Sequence, residues 1–367
     1  MNRKKVICLV IPTLQSGGME RVMSELAGFF SAKHDTKVHL VLYGKERELF
    51  YEVPDGVQIH RPDWTFSDRW RTLHTLKTLM FLRQRVKSVD PDVVLSFGEY
   101  WNSFVIISLL GLKVPLFISD RCSPAKNLNT PHELLRKILY PGVSGIISQT
   151  SKAEVIYREK GYNKNIRTIG NPVREVDKKG KVPDKENIVL TVGRLISTKH
   201  HERLLTIFRN ANPGNWKLVI VGGNANKEDG MTRLKKVIED NGLQEQVILT
   251  GKISDVDTYF LKSKIFAFTS SSEGFPNVIG EAMSAGLPVI SYNCIAGPSD
   301  MIENGVTGYL VDLFDDKTFK DNLEKLMNNE SLRQQMGEAG EKKIQANSVS
   351  GIGQQIYRFI TTTPEPS

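Results

Sequence analysis

The chain has 367 residues, 40% of them hydrophobic and 25% charged. It is too long for a peptide-sized binding module and too apolar for a disordered tail, and at about 150 residues per domain it predicts two globular domains. Forty-nine Lys and Arg against 41 Asp and Glu leave a net charge of +8, which points to an anionic partner with nucleic acid, acidic lipid and nucleotide all open. Cys8, Cys122 and Cys294 are odd in number, far apart and set in or beside apolar runs, which argues against a disulfide framework and for a reducing compartment.

Met1 to Lys5 mimics the basic start of a signal peptide, but the apolar run Val6 to Ile11 stops at Pro12 and fits a buried strand better. The longest apolar stretch, Val105 to Leu112, falls far short of the roughly 20 residues that span a bilayer. Further strands are predicted at Val38–Leu42, Val93–Ser96, Leu116–Ser119 and Gly145–Ser148, with amphipathic helices between them. After Pro172 the pattern breaks, and Arg174 to Glu186 is polar and charged, so residues 173–186 read as a linker. Alternation restarts with Ile188–Val192, Lys217–Val221, Gln246–Thr250, Ile265–Thr269 and Pro288–Ser291. The order predicts two doubly wound α/β halves, residues 1–172 and 187–350. A final helix from about Gly351 is expected to return to the first half, followed by a mobile tail.

In such sheets ligands bind beyond the carboxyl ends of the strands, where loops lead into helix starts that favour anions. After the first strand, Pro12 to Arg21 carries the adjacent Gly17 and Gly18 ahead of a helix expected over Val22–Phe30. The glycines let the backbone bend tightly and approach a ligand. Neither GxGxxG nor GxxxxGK[ST] occurs, which weakens dehydrogenase and P-loop readings. The second half opens with Arg194 and Lys199 in one loop, a pair suited to a diphosphate.

The most informative segment runs from Thr269 to Pro288 and contains Glu273 in a loop, Gly274, Phe275, Pro276, Asn277 and Val278 at a helix start, and Glu281 one turn inside. A diphosphate would accept from the amides around Phe275 to Val278, and each carboxylate would accept from sugar or ribose hydroxyls.

Glu273 and Glu281 form an E-x7-E signature, and the segment around them resembles the retaining nucleotide-sugar glycosyltransferases of GT-B architecture, glycosyltransferase family four. Ser16-Gly-Gly-Met-Glu-Arg21, Gly170-Asn-Pro-Val173, Val192-Gly-Arg-Leu195 with Lys199, and Gly297-Pro-Ser-Asp-Met-Ile-Glu-Asn-Gly-Val-Thr-Gly308 are further matches. The resemblance implies that Arg194 and Lys199 contact the donor diphosphate, that Glu273 meets the transferred sugar and Glu281 the ribose, and that Gly17 and Gly18 approach the donor phosphates. Lys199-His200 replaces the family's usual Lys-Gly, and Asp300 a usual glutamate. Where many relatives carry a histidine near the reacting sugar, this chain has Ser119-Asp120-Arg121, so Asp120 and Arg121 are offered as acceptor-side residues.

Asp90-Pro-Asp92 and Asp255-Val-Asp257 match DxD, but the first precedes a strand and the second reads as a helix cap, so no metal is expected. His200-His201-Glu202 and His132-Glu133 lack HExxH spacing. Residues Arg61 to Lys87 hold seven Lys and Arg against Asp63 and Asp68, +5 of the total +8, interleaved with Trp64, Phe66, Trp70, Leu73, Leu76, Met80 and Phe81. That segment suits an anionic membrane surface or a lipid diphosphate, or a helix whose apolar stripe lies in a core; nucleic acid is not favoured, because no RNA-binding module accompanies it.

The expectation is a two-Rossmann α/β enzyme in which residues 1–172 bind the acceptor and residues 187–350 the nucleotide sugar, with the donor in a cleft. It moves a hexosyl or N-acetylhexosaminyl group from a nucleoside diphosphate sugar, UDP favoured, to a hydroxyl of a polyprenyl-diphosphate-linked or other lipid-linked glycan. Configuration is retained, no cofactor or metal is needed, and the enzyme sits peripherally on the inner face of the cell membrane. A GDP-mannose-type mannosyltransferase and a two-Rossmann sugar-nucleotide epimerase are the alternatives.

Overall fold

A computed structural model describes residues 3–45, 48–178, 184–225 and 228–362. The chain divides into two compact units, residues up to Pro172 together with those from Val349 onward, and Val173–Ser348.

The first unit runs β1 (Lys5–Ile11), α1 (Gly18–Ser31), β2 (Thr36–Leu42), β3 (Val57–His60), α2 (Arg71–Val89), β4 (Val93–Phe97), α3 (Asn102–Leu109), β5 (Leu116–Ser119), α4 (Thr130–Leu139), β6 (Gly145–Ser148), α5 (Ser151–Glu159) and β7 (Ile166–Thr168). All strand pairs are parallel, in the order β3-β2-β1-β4-β5-β6-β7. Strands buried on both faces explain the unbroken apolar runs of β1 and β4.

The second unit runs β8 (Ile188–Val192), α6 (His201–Asn210), β9 (Lys217–Val221), α7 (Gly230–Asp240), β10 (Val247–Gly251), α8 (Asp257–Lys262), β11 (Ile265–Phe268), α9 (Asn277–Ser284), β12 (Val289–Tyr292), α10 (Pro298–Met301), β13 (Gly308–Val311), α11 (Asp316–Asn328) and α12 (Glu330–Ile344). Its parallel order is β10-β9-β8-β11-β12-β13. The last helix, α13 (Val349–Thr361), belongs to the first unit. Its Ile352, Ile356, Phe359 and Ile360 are buried in the core that α1 also covers, and Gly353 lies so near Phe29 that a Cβ there would fall 2.4 Å from the ring.

Three expectations change. Residues 173–178 are not linker: Val173 and Val176 are 4% exposed in the core of the second unit, and Arg174 makes a two-pronged ion pair with Asp257 at 2.6 and 2.7 Å. Apolar side chains spaced three apart let a highly charged segment pack along one edge. Residues 179–183 of the expected linker and 363–367 of the expected tail lie outside the described residues. Helix α1 begins at Gly18, four residues before the predicted start, so the glycine pair is the helix entry itself. Strands β3, β7 and β13 were not anticipated.

Helix α2 resolves the basic segment into two faces. Phe81, Leu82 and Val86 are buried, while Leu73, Leu76 and Met80 are 48%, 54% and 59% exposed. At 100° per residue those three form one stripe opposite the core face.

Candidate functional site

In each sheet the strand order reverses once, between β1 and β4 in the first unit and between β8 and β11 in the second. Such switch points open a crevice at the carboxyl ends of the strands. Parallel pairing of Val189 with Ile265 and of Leu190 with Phe266 sets the ends of β8 and β11 side by side.

The loops leaving those two strands are tied together. Thr269 Oγ1 donates to the Lys199 carbonyl at 2.8 Å, the Ser271 amide donates to the Thr198 carbonyl at 2.9 Å, and His200 Nε2 lies 2.8 Å from Ser271 Oγ. His200 adopts a left-handed backbone, φ 51°, which ends the tight turn Ser197–Lys199 and starts α6. In consequence Lys199 Nζ meets Glu273 Oε1 at 2.6 Å, both side chains only about 15% exposed. The ammonium also lies 5.0 Å over the Phe268 ring. Arg194, from the same loop as Lys199, is exposed.

Pro276 precedes α9 rather than filling its first turn, and no side chain caps that helix start. Gly297 pins the approach: it has φ 103°, and a Cβ on it would fall 2.1 Å from Pro276 Cδ. Phe275 is buried in the core, which fixes Gly274 and the amides of Asn277 and Val278 at the helix entrance. Glu281 sits one turn inside α9, with Arg174 Nε 3.9 Å away. Arg174 was missed from sequence because its flank is so charged; its position directly after Gly170-Asn-Pro-Val173 was the available signal. The second unit thus brings Lys199, Glu273, the α9 entrance and Glu281 to one switch point.

In the first unit, Gly17 is extended and starts α1 without a side-chain cap. Tyr51 Oη donates to its carbonyl at 3.0 Å, and a Cβ on it would fall 2.2 Å from Glu20 Oε2. Burial raises the Glu20 carboxyl above its usual range.

Asp120 does not serve as a ligand-facing acid. It is 2% exposed, and its oxygens accept from Arg136 Nη2 at 2.5 Å, Tyr140 Oη at 2.8 Å and Asn102 Nδ2 at 2.9 Å. A buried carboxylate needs such partners, so this one joins β5 to α3 and α4. Arg121 lies 3.4 Å over the Phe97 ring and donates to Asn171 Oδ1 at 2.6 Å, while its Nε and Nη2 are buried without a partner among the described residues. Desolvation lowers its pKa to about 9.

The DxD pairs are structural. Asp92 Oδ2 accepts from the Val6 amide at 2.7 Å, Asp90 ends α2 in a left-handed conformation, Asp255 accepts from the Thr258 amide at 3.1 Å, and Asp257 holds Arg174. Among the described residues no three His, Cys, Asp or Glu side chains gather as metal ligands, and no helix is long and apolar enough to cross a membrane.

Two doubly wound parallel units with this topology are the GT-B class of glycosyltransferase fold. The lipopolysaccharide outer core galactosyltransferase WaaB in its apo form matches with a TM-score of 0.80 at 20% identity, covering 98% of this chain and 100% of that one. Anabaena Alr3699/HepE in complex with UDP matches with a TM-score of 0.79 at 17% identity, covering 98% and 100%.

The family described as "Glycosyl transferases group 1" matches residues 173–343, and that described as "Glycosyltransferase Family 4" matches residues 16–175. The chain belongs to these family-four glycosyltransferases. It is 28% identical over 345 residues to the amylovoran biosynthesis glycosyltransferase AmsD of Erwinia amylovora, covering 91% of this chain and 93% of that protein. It is 26% identical over 361 residues, 96% and 98% of the two chains, to the GalNAc-alpha-(1->4)-GalNAc-alpha-(1->3)-diNAcBac-PP-undecaprenol alpha-1,4-N-acetyl-D-galactosaminyltransferase of Campylobacter jejuni.

Proposed function

We propose that the protein transfers a hexosyl or N-acetylhexosaminyl group from a UDP-sugar to a hydroxyl of a lipid-linked glycan in surface polysaccharide assembly, with retained configuration and without a metal. The observation that carries the reading is the Lys199–Glu273 pair at the β8/β11 switch point. It places a cation and a hydroxyl acceptor at one spot, as a phosphorylated sugar requires. The relatives named above include an enzyme of amylovoran biosynthesis and one whose substrate name carries an undecaprenol diphosphate, which supports the choice of acceptor.

In this reading Arg194 and Lys199 donate to the diphosphate, and the amides of Gly274, Phe275 and Val278 add hydrogen bonds at the start of α9, where the helix dipole favours anions. Glu273 accepts from hydroxyls of the transferred sugar, and Glu281 from the ribose. Gly17 and Gly18 leave the amides at the start of α1 without a side-chain cap, a second helix start suited to an anion in the first unit. As the glycosidic bond breaks, charge grows on the departing phosphate, which these donors stabilise. The phosphate then takes the acceptor hydroxyl's proton on the same face. The exposed Leu73, Leu76 and Met80 stripe, with Lys77, Arg83 and Lys87 beside it, docks on anionic lipid at the inner membrane face.

The test is a panel of UDP- and GDP-sugars scored by thermal shift and slow donor hydrolysis. Stabilisation and hydrolysis with a UDP-sugar are expected. A response confined to GDP-mannose would replace the donor, and no response at all would overturn the transferase reading.

A further inference from the structure

Among the described residues, four that are not glycine adopt a left-handed backbone: Asp90, His200, Asn212 and Phe314. Asp and Asn offset the cost of that conformation with a short polar side chain that bonds locally. His200 at φ 51° and Phe314 at φ 69° lack such a side chain, and these two touch each other. Their rings meet edge-on at 5.0 Å and 86°. Phe314 is held in turn by Arg203, whose guanidinium lies 4.7 Å over the ring, donates from Nη2 to the Phe314 carbonyl at 3.3 Å and donates from Nε to Asp316 at 2.7 Å. Tyr292, at the end of β12, donates to the same Asp316 carboxylate and meets the Phe314 ring at 6.0 Å. On its other side His200 Nε2 lies 2.8 Å from Ser271 Oγ. Burial and the Arg203 charge lower the His200 pKa, so a neutral ring fills this place.

The His200 ring therefore spans the loops leaving β8, β11 and β13, next to Lys199 in the chain and two residues from Glu273 through Ser271. Glycine would take the same turn at no cost, and backbone strain that surrounding contacts over-determine clusters at functional sites. We propose that His200 is a positioning residue for the transfer reaction: clamped between Phe314 and Ser271, its ring holds the Ser197–Lys199 turn against the Glu273 loop and so aims the Lys199 ammonium. The assignment rests on the role given to Lys199 above. His200 itself touches no reacting atom.

The test compares His200→Gly, which keeps the left-handed turn and removes the ring, with Ser271→Ala, which keeps the ring and removes its hydrogen-bond partner. Both should fold, because glycine suits φ 51° and Ser271 is only half-buried. In steady-state kinetics with a UDP-sugar, His200→Gly should lower kcat about tenfold or more, the scale of a small misplacement of a catalytic group, with less change in donor KM. In a Lys199→Ala background the same substitution should cost less than about twofold, because the group being aimed is gone; a purely structural role would lower kcat equally in both backgrounds. Independently of turnover, hydrogen exchange at the Ser271 amide, which donates to the Thr198 carbonyl at 2.9 Å, should quicken about fivefold in both variants, the worth of one neutral hydrogen bond, while amides within β8 and β11 keep their rates. An equal loss of kcat in both backgrounds, or an unchanged Ser271 amide in His200→Gly, would overturn the assignment. Absence of turnover in the unmodified protein would instead strike the transferase reading, and amide exchange would then decide by itself whether His200 joins the two loops.

Discussion

Lys199 and Glu273 lie 74 residues apart in sequence yet meet at 2.6 Å, because β8 and β11 are neighbours only through the reversal of strand order. An acid and a base at about 15% exposure neutralise one another in the unliganded protein. An incoming diphosphate would compete with Glu273 for the ammonium and release the carboxylate toward hydroxyls. Lys199→Ala should lower turnover by about 10²-fold or more, the size of a lost transition-state donor, and Glu273→Gln, which keeps an acceptor oxygen but loses the charge that meets the ammonium, should lower turnover too. The double variant should lose much less than the product of the two, because each single change already breaks the pair. Steady-state kinetics on the three variants checks this, and simple multiplication of the losses would show that the residues act independently.

Arg194 separates binding chemistry from stability. Its side chain is exposed, so Arg194→Ala should leave the unfolding free energy within about 0.5 kcal/mol while turnover falls about 10²-fold. Near-normal turnover would remove it from the diphosphate site.

Asp120 should behave in the opposite way. Replacing it with Ala strands Arg136, 3% exposed at its side chain, and loss of one partner of a buried pair costs about 3–5 kcal/mol. Chemical denaturation should report that loss. A stable Asp120→Ala protein with a changed acceptor KM would restore the ligand-facing role.

His201 is 3% exposed, its Nε2 lies 3.4 Å from the Arg194 carbonyl, and burial lowers its pKa to about 4. The unfolded chain titrates near 6.5. Between those values the unfolded state binds more protons, so stability is full above pH 6.5 and falls as pH drops toward 4. At about 1.36 kcal/mol per pKa unit this contributes about 3 kcal/mol. Because His39 in the first unit is lowered similarly, the measurement is the difference in unfolding free energy between wild type and His201→Gln across that range. The variant should show the shallower slope.

The outer stripe of α2 makes a membrane prediction. Leu73→Ser, Leu76→Ser and Met80→Ser together should reduce partition onto vesicles containing anionic lipid without lowering the melting temperature, since none of the three is buried. Each Lys or Arg near such a surface adds about 1 kcal/mol, so Lys77→Gln should cost about fivefold. Sedimentation with neutral and anionic vesicles checks both.

Legibility in the sequence followed burial. Strands β5, β6, β8 and β9 were located to the residue because interior strands need apolar side chains on both faces. The three strands missed, β3, β7 and β13, are all sheet edges, where one side lacks a partner and polar residues such as Gln58 and Arg167 enter the run. Glu273, Glu281, Arg194 and Lys199 stood out in the sequence because each lies in a segment just after an apolar strand, at the end where ligands bind in such sheets. The contact of His200 with Ser271 and Phe314 was invisible, since the three come from separate segments.

The net charge of +8 pointed to an anionic partner without locating it, and the order of strands and motifs by itself determined two doubly wound halves and a glycosyltransferase family, and singled out the residues proposed for a donor site. Tertiary structure decided what spacing cannot encode. It turned Asp120 inward onto Arg136, folded Val173 and Val176 into the second core, and left Leu73, Leu76 and Met80 facing out. Local sequence fixes the type of an element, whereas the use of a polar or apolar side chain depends on which neighbours the fold brings within hydrogen-bond or van der Waals reach.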